Sequence, residues 1–271
     1  MTESSIVSAN ALEIVIDIGH LPIQLRMHDA AFHELLSNRY AGFLSSNSIA
    51  EAVLDIDLAL DPKITDGDVE VHIDNGHWVF QRADFAAEFD PTTRVGRIRQ
   101  SPNPYSIDTA LRILHGLLLV REGGFLLHAA SAIRNGKAFL FSGLSGAGKT
   151  TISSLIPADA TLLTDEISYV RREDGRYIAC GTPFAGELAR LGSNASAPVE
   201  AAFLLAKGPA NRIDPVDVAE ATQRILRNIL FFAEDPAMVK TLFDSACTFV
   251  EQVPVRRLTF YPDLRVWDMI Q

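Results

Sequence analysis

One stretch of this sequence has the residue types and spacing for a definite chemistry. Gly143-Leu-Ser-Gly-Ala-Gly148-Lys149-Thr150 follows the pattern glycine, any four residues, glycine, lysine, then serine or threonine. With this chain's own residue frequencies, a chance match anywhere along it has a probability of roughly two in a thousand. Small residues at Gly146, Ala147 and Gly148 let successive backbone N–H groups turn into one concavity, the arrangement by which a loop holds phosphate oxygens. The start of a following helix adds partial positive charge there. Lys149 would reach the β- and γ-phosphates of a nucleotide, and the Thr150 hydroxyl would bind Mg²⁺. The expected ligands are ATP or GTP with Mg²⁺, held by Ser145, Gly146, Ala147, Gly148, Lys149, Thr150 and Thr151.

Two further groups fall close by. Pro157 ends the helix after about two turns, because proline cannot continue the hydrogen-bond ladder. The next strand, Thr161-Leu-Leu-Thr164, then delivers Asp165-Glu166 at its end. A short apolar strand ending in two acids can supply a base or a metal-positioning carboxylate. His128 enters by register. If Asn135-Gly136 are the two central residues of a hairpin turn, Arg134 faces Lys137, and counting down the ladder sets His128 opposite Gly143. A histidine there can tune a carboxylate or move a proton near neutral pH.

The elements that must hold these residues can be read from periodicity. Phe125–Ile133 and Ala138–Ser142 are apolar strands around the Asn-Gly turn, and the second runs into the glycine-rich loop. Before them, Ile107, Leu111, Leu114 and Leu118 keep helical spacing, with Gly123-Gly124 as the stop. After them come a hairpin across Glu173–Arg176, a buried strand at Ala201–Ala206 and helices near Val216–Ala233 and Pro236–Gln252. A strand at Arg257–Tyr261 closes the series. The first hundred residues read mainly as strands: Leu12, Ile14, Ile16 and Ile18 alternate, as do Leu54, Ile56, Leu58 and Leu60. A hairpin is expected at Asn75-Gly76 and one helix near Asp29–Leu36. Pro102 and Pro104 mark the expected boundary between a β-rich accessory domain, 1–103, and a catalytic domain, 104–271.

Composition narrows the function. The chain has 271 residues, 48% hydrophobic and 21% charged, which suits a folded globular protein and not a low-complexity one. Its net charge of −10 argues against nucleic acid or an anionic membrane as a partner. Cys180 and Cys247 form no disulfide framework, and the first residues show no basic region followed by an apolar one, so a cytoplasmic protein is expected. His20, His28, His33, His72 and His77 have no metal-ligand spacing and read as surface or core histidines.

Taken in order, the Leu-His-Ala-Ala stretch within Phe125–Ser131, the hairpin into Gly143–Thr151, the clipped helix and Leu163-Thr164-Asp165-Glu166 resemble the catalytic domain of HPr kinase/phosphorylase. The shorter HPr-kinase-like proteins of bacteria are the nearer likeness, over roughly residues 105–260, and Gly181–Glu187 is similar to a stretch of those relatives. The resemblance implies a mixed α/β fold related to phosphoenolpyruvate carboxykinase, with a P-loop catalytic domain. It also implies transfer of a γ-phosphoryl group to a serine-type hydroxyl. By it, Asp165 is the general base, Glu166 supports the site or the metal, His128 is the active-site histidine and Glu187 joins Thr150 as a Mg²⁺ ligand. Relatives form hexamers, so the resemblance allows a homo-oligomer, although nothing in the sequence demonstrates an interface. Three departures stand out: Glu166 replaces the family's second Asp, Glu187–Gly192 echoes only part of the family's next segment, and the N-terminal region has no recognisable counterpart.

The leading expectation is a kinase acting on a hydroxyl of a protein, a peptide or a small metabolite, with Arg171, Arg172, Arg190 and Arg212 as candidate phosphoryl or acceptor contacts. The alternative is a nucleotide-hydrolysing binding or regulatory module with no acceptor. A decarboxylating carboxykinase shares the fold, but its carboxylate-substrate signature is missing, and fold alone does not carry function.

Overall fold

A computed structural model describes residues 11–46, 49–59, 67–184, 186 and 192–271. The chain is mixed α/β, with two sheets. It divides into two compact units, one formed by 1–17 and 21–110, the other by 18–20 and 111–271.

The first unit is built on a seven-stranded sheet. Its strands are β1 (Leu12–Ile18), β2 (Leu21–Met27), β3 (Ala52–Leu58), β4 (Glu70–Asp74), β5 (His77–Arg82), β6 (Phe85–Asp90) and β7 (Val95–Gln100). They lie in the order β1-β2-β3-β7-β6-β5-β4. The alternation in the sequence is the burial pattern: Ile14, Ile16 and Ile18 are buried on β1, and Leu54 and Ile56 on β3. Asn75 and Gly76, at φ 48° and 86°, make the tight turn between β4 and β5. Helix α1 (Ala30–Arg39) starts where Asp29 accepts a hydrogen bond from the Phe32 N–H, and it buries Phe32 and Leu36. Such a cap is worth about 1 kcal/mol. Leu60 of the expected alternation lies outside the described residues.

Helix α2 (Pro104–Arg121) leads out of the first unit into the second and stops at Gly123, whose φ is 78°. The second unit is a nine-stranded sheet with three helices: β8 (Phe125–Arg134), β9 (Lys137–Ser142), α3 (Lys149–Ser154), β10 (Ala160–Thr164), β11 (Ile167–Glu173), β12 (Arg176–Cys180), β13 (Ser196–Lys207), β14 (Arg212–Pro215), α4 (Val218–Asn228), β15 (Ile229–Leu230), α5 (Pro236–Gln252) and β16 (Val255–Phe260). The main path runs β10-β8-β11-β12-β13-β16-β14, with β9 between β8 and β13.

β8 organises this unit. On one edge its residues 129–134 pair with β9, and Leu126 and Leu127 pair with β15. On the other edge residues 131–134 pair with β10, and residues 125–128 with β11. The expected helix from Val216 therefore ends early, at Asn228. The chain becomes extended at Ile229 to fill the edge of β8 that β9 leaves when it turns into the loop. One apolar cluster, with Leu140, Leu204, Ala221, Ile225 and Phe249, lies under α4 and α5. Another, with Phe141, Ile152, Phe203, Phe260 and Trp267, lies under α3. The strand entering the loop is thus clamped on both faces.

Candidate active site

The hairpin register follows the Asn135-Gly136 turn, at φ 52° and 73°, from Arg134↔Lys137 to Ala129↔Ser142. The ladder ends there, so the loop after Ser142 leaves the sheet level with His128. Gly146 and Gly148 have φ of 76° and 114°, values that favour glycine. A Cβ on Gly148 would also lie 2.7 Å from the Phe260 ring. Lys149 is buried, and its ammonium donates to the carbonyls of Gly143 (2.9 Å) and Leu144 (3.4 Å). α3 spans six residues, with Pro157 shortly beyond its end.

The acid pair is placed from the other edge of β8. Thr161↔Ile133 and Leu162↔Ala132 give way to Thr164↔Ser131, a one-residue bulge at Leu163, and the new register holds through Ile167↔His128. β10 and β11 are therefore one antiparallel path interrupted by Asp165-Glu166. Bulges re-aim side chains in this way beside active sites. The break is tied off locally. Thr164 Oγ1 accepts from the N–H groups of Glu166 and Ile167, both at 3.3 Å. Buried Thr182 donates from its hydroxyl to the Ile167 carbonyl at 2.9 Å. Asp165, only 4% exposed, accepts from the Gly186 N–H at 2.9 Å. Because β8 separates the two edges, the start of the loop and the acids are held two strand spacings apart, about 10 Å.

Between them lies a pocket of about 450 Å³. Ser145, Gly146, Gly148, Lys149, Thr150 and Thr151 line it from the loop side, and Asp165 and Glu166 from the opposite side. His128 lines it too. Burial, and then the charge of Lys149, hold the imidazole below its ordinary pKa, so it is neutral at pH 7. Ala147 instead lines a neighbouring cavity of about 270 Å³, which shares Ser145 and Gly146 with the first and is lined also by Glu220, Arg224 and Arg257. Glu187 and Arg190 lie outside the described residues. Arg171, Arg172 and Arg212 do not line the pocket, and Arg212 pairs with Asp214.

The cation that lines it besides Lys149 is Lys207, the last residue of β13. It carries no motif, and the apolar run reads as ending at Ala206. The available signal was positional: ligands bind beyond the carboxyl ends of strands in α/β sheets, and β13 runs parallel to β9 with Leu204 level with Ser142. Among the described residues no group of three His, Cys, Asp or Glu could hold a metal by itself. Thr150, Asp165 and Glu166 are hard oxygen donors on one pocket. That suits Mg²⁺, which takes one or two protein ligands and completes its shell with phosphate oxygens and water.

No curated protein matches the chain. Among solved structures, the Hpr(Ser) kinase/phosphatase from Coxiella burnetii matches at 15% identity over 45% of this chain and 87% of that chain, with a TM-score of 0.25. The family model described as SynChlorMet cassette protein ScmC matches residues 106–271. That match takes in more than half of the chain and every strand that builds the pocket, and the protein belongs to the ScmC family.

Proposed function

We propose that this protein is an HPr-kinase-like phosphotransferase that moves the γ-phosphoryl group of ATP or GTP to a serine-type hydroxyl of a protein, peptide or small molecule. The observation that carries this reading is the pocket in which Ser145, Gly146 and Gly148–Thr151 face Asp165 and Glu166 across β8, with His128 of β8 on its lining. In this reading the loop and Lys149 bind the triphosphate, the ammonium moving from the Gly143 and Leu144 carbonyls onto phosphate oxygens. Asp165 accepts the acceptor's hydroxyl proton as its oxygen attacks the γ-phosphorus and the bond to the β-γ bridging oxygen breaks. Lys207 offsets charge on the transferring group, since such transfers rely mainly on positioning and electrostatics. Neutral His128 can accept a proton or a hydrogen bond at the acceptor side. Mg²⁺, when bound, would be held through Thr150 and Glu166 and would neutralise charge on the phosphate oxygens.

The test combines γ-labelled ATP and GTP with Mg²⁺ and a lysate of the source cells, following label transfer and free phosphate separately. Asp165→Asn is expected to bind nucleotide within a few-fold of wild type and to lose about 10²–10⁴ in transfer, the usual worth of a positioned base. Transfer at the wild-type rate by Asp165→Asn removes the base. Phosphate release with no labelled acceptor favours the hydrolysing module.

A further inference from the structure

β9, β13 and β16 run parallel, and their carboxyl ends lie side by side: Leu204 is level with Ser142, and Lys207 with Phe260. The segments leaving these three ends therefore share one edge of the sheet, where ligands of α/β sheets bind. The first segment is the glycine-rich loop. The other two, Gly208–Asn211 after β13 and the chain after Phe260, enclose a second pocket of about 430 Å³ lined by Pro209, Ala210, Asn211, Tyr261, Asp263 and Arg265.

The chain links the two pockets at both strand ends. Lys207 lines the first and Pro209 the second, about 7 Å of extended backbone apart. Phe260 sits so close to the loop that a Cβ on Gly148 would meet its ring at 2.7 Å, and the next residue, Tyr261, already belongs to the second pocket. A nucleotide whose triphosphate sits on Gly148–Thr151 would reach this pocket by passing these two strand ends.

The pocket has the features of a base platform. Tyr261 is 51% exposed, which leaves its ring open to a ligand. Its backbone is fixed, because its N–H donates to Asn211 Oδ1 at 2.9 Å, tying the segment after β13 to the one after β16. Asp263 accepts from both the backbone N–H and the guanidinium of Arg265, which holds the far rim. We infer that this pocket is the nucleoside subsite, with the nucleobase stacked on Tyr261. The inference rests on reading loop 143–150 as the triphosphate site.

The experiment measures binding of ATP, GTP and inorganic tripolyphosphate, each with Mg²⁺, to the full chain and to three variants. Lys149→Ala is expected to weaken all three ligands. Tyr261→Ala is expected to weaken the bound nucleotide by about 5- to 100-fold, the worth of one base stacked on an aromatic ring, and to leave tripolyphosphate within two-fold. Tyr261→Phe keeps the ring and is expected to restore nucleotide affinity. If Tyr261→Ala binds nucleotide as tightly as wild type while Lys149→Ala does not, the subsite is wrong and the triphosphate site stands. Equal loss of nucleotide and tripolyphosphate in Tyr261→Ala also overturns the subsite, since the effect is then on the loop. Wild-type protein that binds none of the three overturns both.

Discussion

Gly186→Ala tests the placement of the acid pair without changing a charge. A Cβ at residue 186 would lie 2.9 Å from Asp165 Oδ2 and 2.9 Å from the Glu166 Cβ. Ordinary contact begins near 3.4 Å, so the pair must retreat by about half an ångström, from 3.4 − 2.9. Asp165 cannot swing aside freely, because it is 4% exposed and its Oδ1 accepts from the Gly186 N–H. A misplacement of about 1 Å in a reacting group costs on the order of 10²-fold in rate, so half that displacement predicts roughly a tenfold fall in kcat, about 1.4 kcal/mol. The assay is phosphate release from the nucleotide that binds, with water as the acceptor, together with nucleotide affinity, which is expected to stay within two-fold. Gly42→Ala is the matched control, since a Cβ there meets nothing within 4 Å. A folded Gly186→Ala protein turning over at the wild-type rate refutes the role given to Asp165-Glu166. Loss of nucleotide affinity would instead show that residue 186 acts on the phosphate loop.

Two further outcomes follow from charges described by the structure. His115, on α2, is fully buried, and burial lowers its pKa from 6.5 to about 3. Between those values the unfolded chain binds the extra proton, so stability falls as pH drops below 6.5, by about 2 kcal/mol at pH 5; urea midpoints at pH 7 and pH 5 should show this, and His115→Gln should flatten the slope. Lys207→Met should lower kcat about 10- to 100-fold while nucleotide affinity changes less, as expected of a cation that acts mainly on developing charge; single-turnover kinetics separate the two, and an unchanged kcat removes Lys207 from the chemistry.

The parts of the site legible in the sequence are those where local chemistry dictates the backbone. Asn-Gly and Asp-Gly pairs mark the turns at 75–76, 135–136 and 174–175, each with both residues at positive φ. The first of the β8 hairpin's consequences, the His128 register, could therefore be counted residue by residue. Gly123 and Pro157 likewise stop their helices for reasons of backbone geometry alone. What was not legible depends on tertiary neighbours. After Asn228 the apolar run Ile229–Ala233 carries no breaker, and the helix from Val216 ends because Ile229 and Leu230 pair with the open edge of β8. β6 and β7 each carry two charged residues, and their alternation is short: Phe85, Ala87 and Phe89 on one, Gly96 and Ile98 on the other. Lys207 and Tyr261 are single residues at strand ends, and nothing local distinguishes them until the parallel register of β9, β13 and β16 is known. The bulge at Leu163 has no composition cue, yet it aims the acids.

β8 acts as a gauge block. The glycine-rich loop and the acid pair never need to measure themselves against each other, because each is seated on an opposite side of the same strand. The length of chain joining them through α3 and Pro157 is consequently irrelevant to their separation. Residues added or removed around Pro157–Asp159 are absorbed as slack, whereas one residue added to β8 throws both halves out of true.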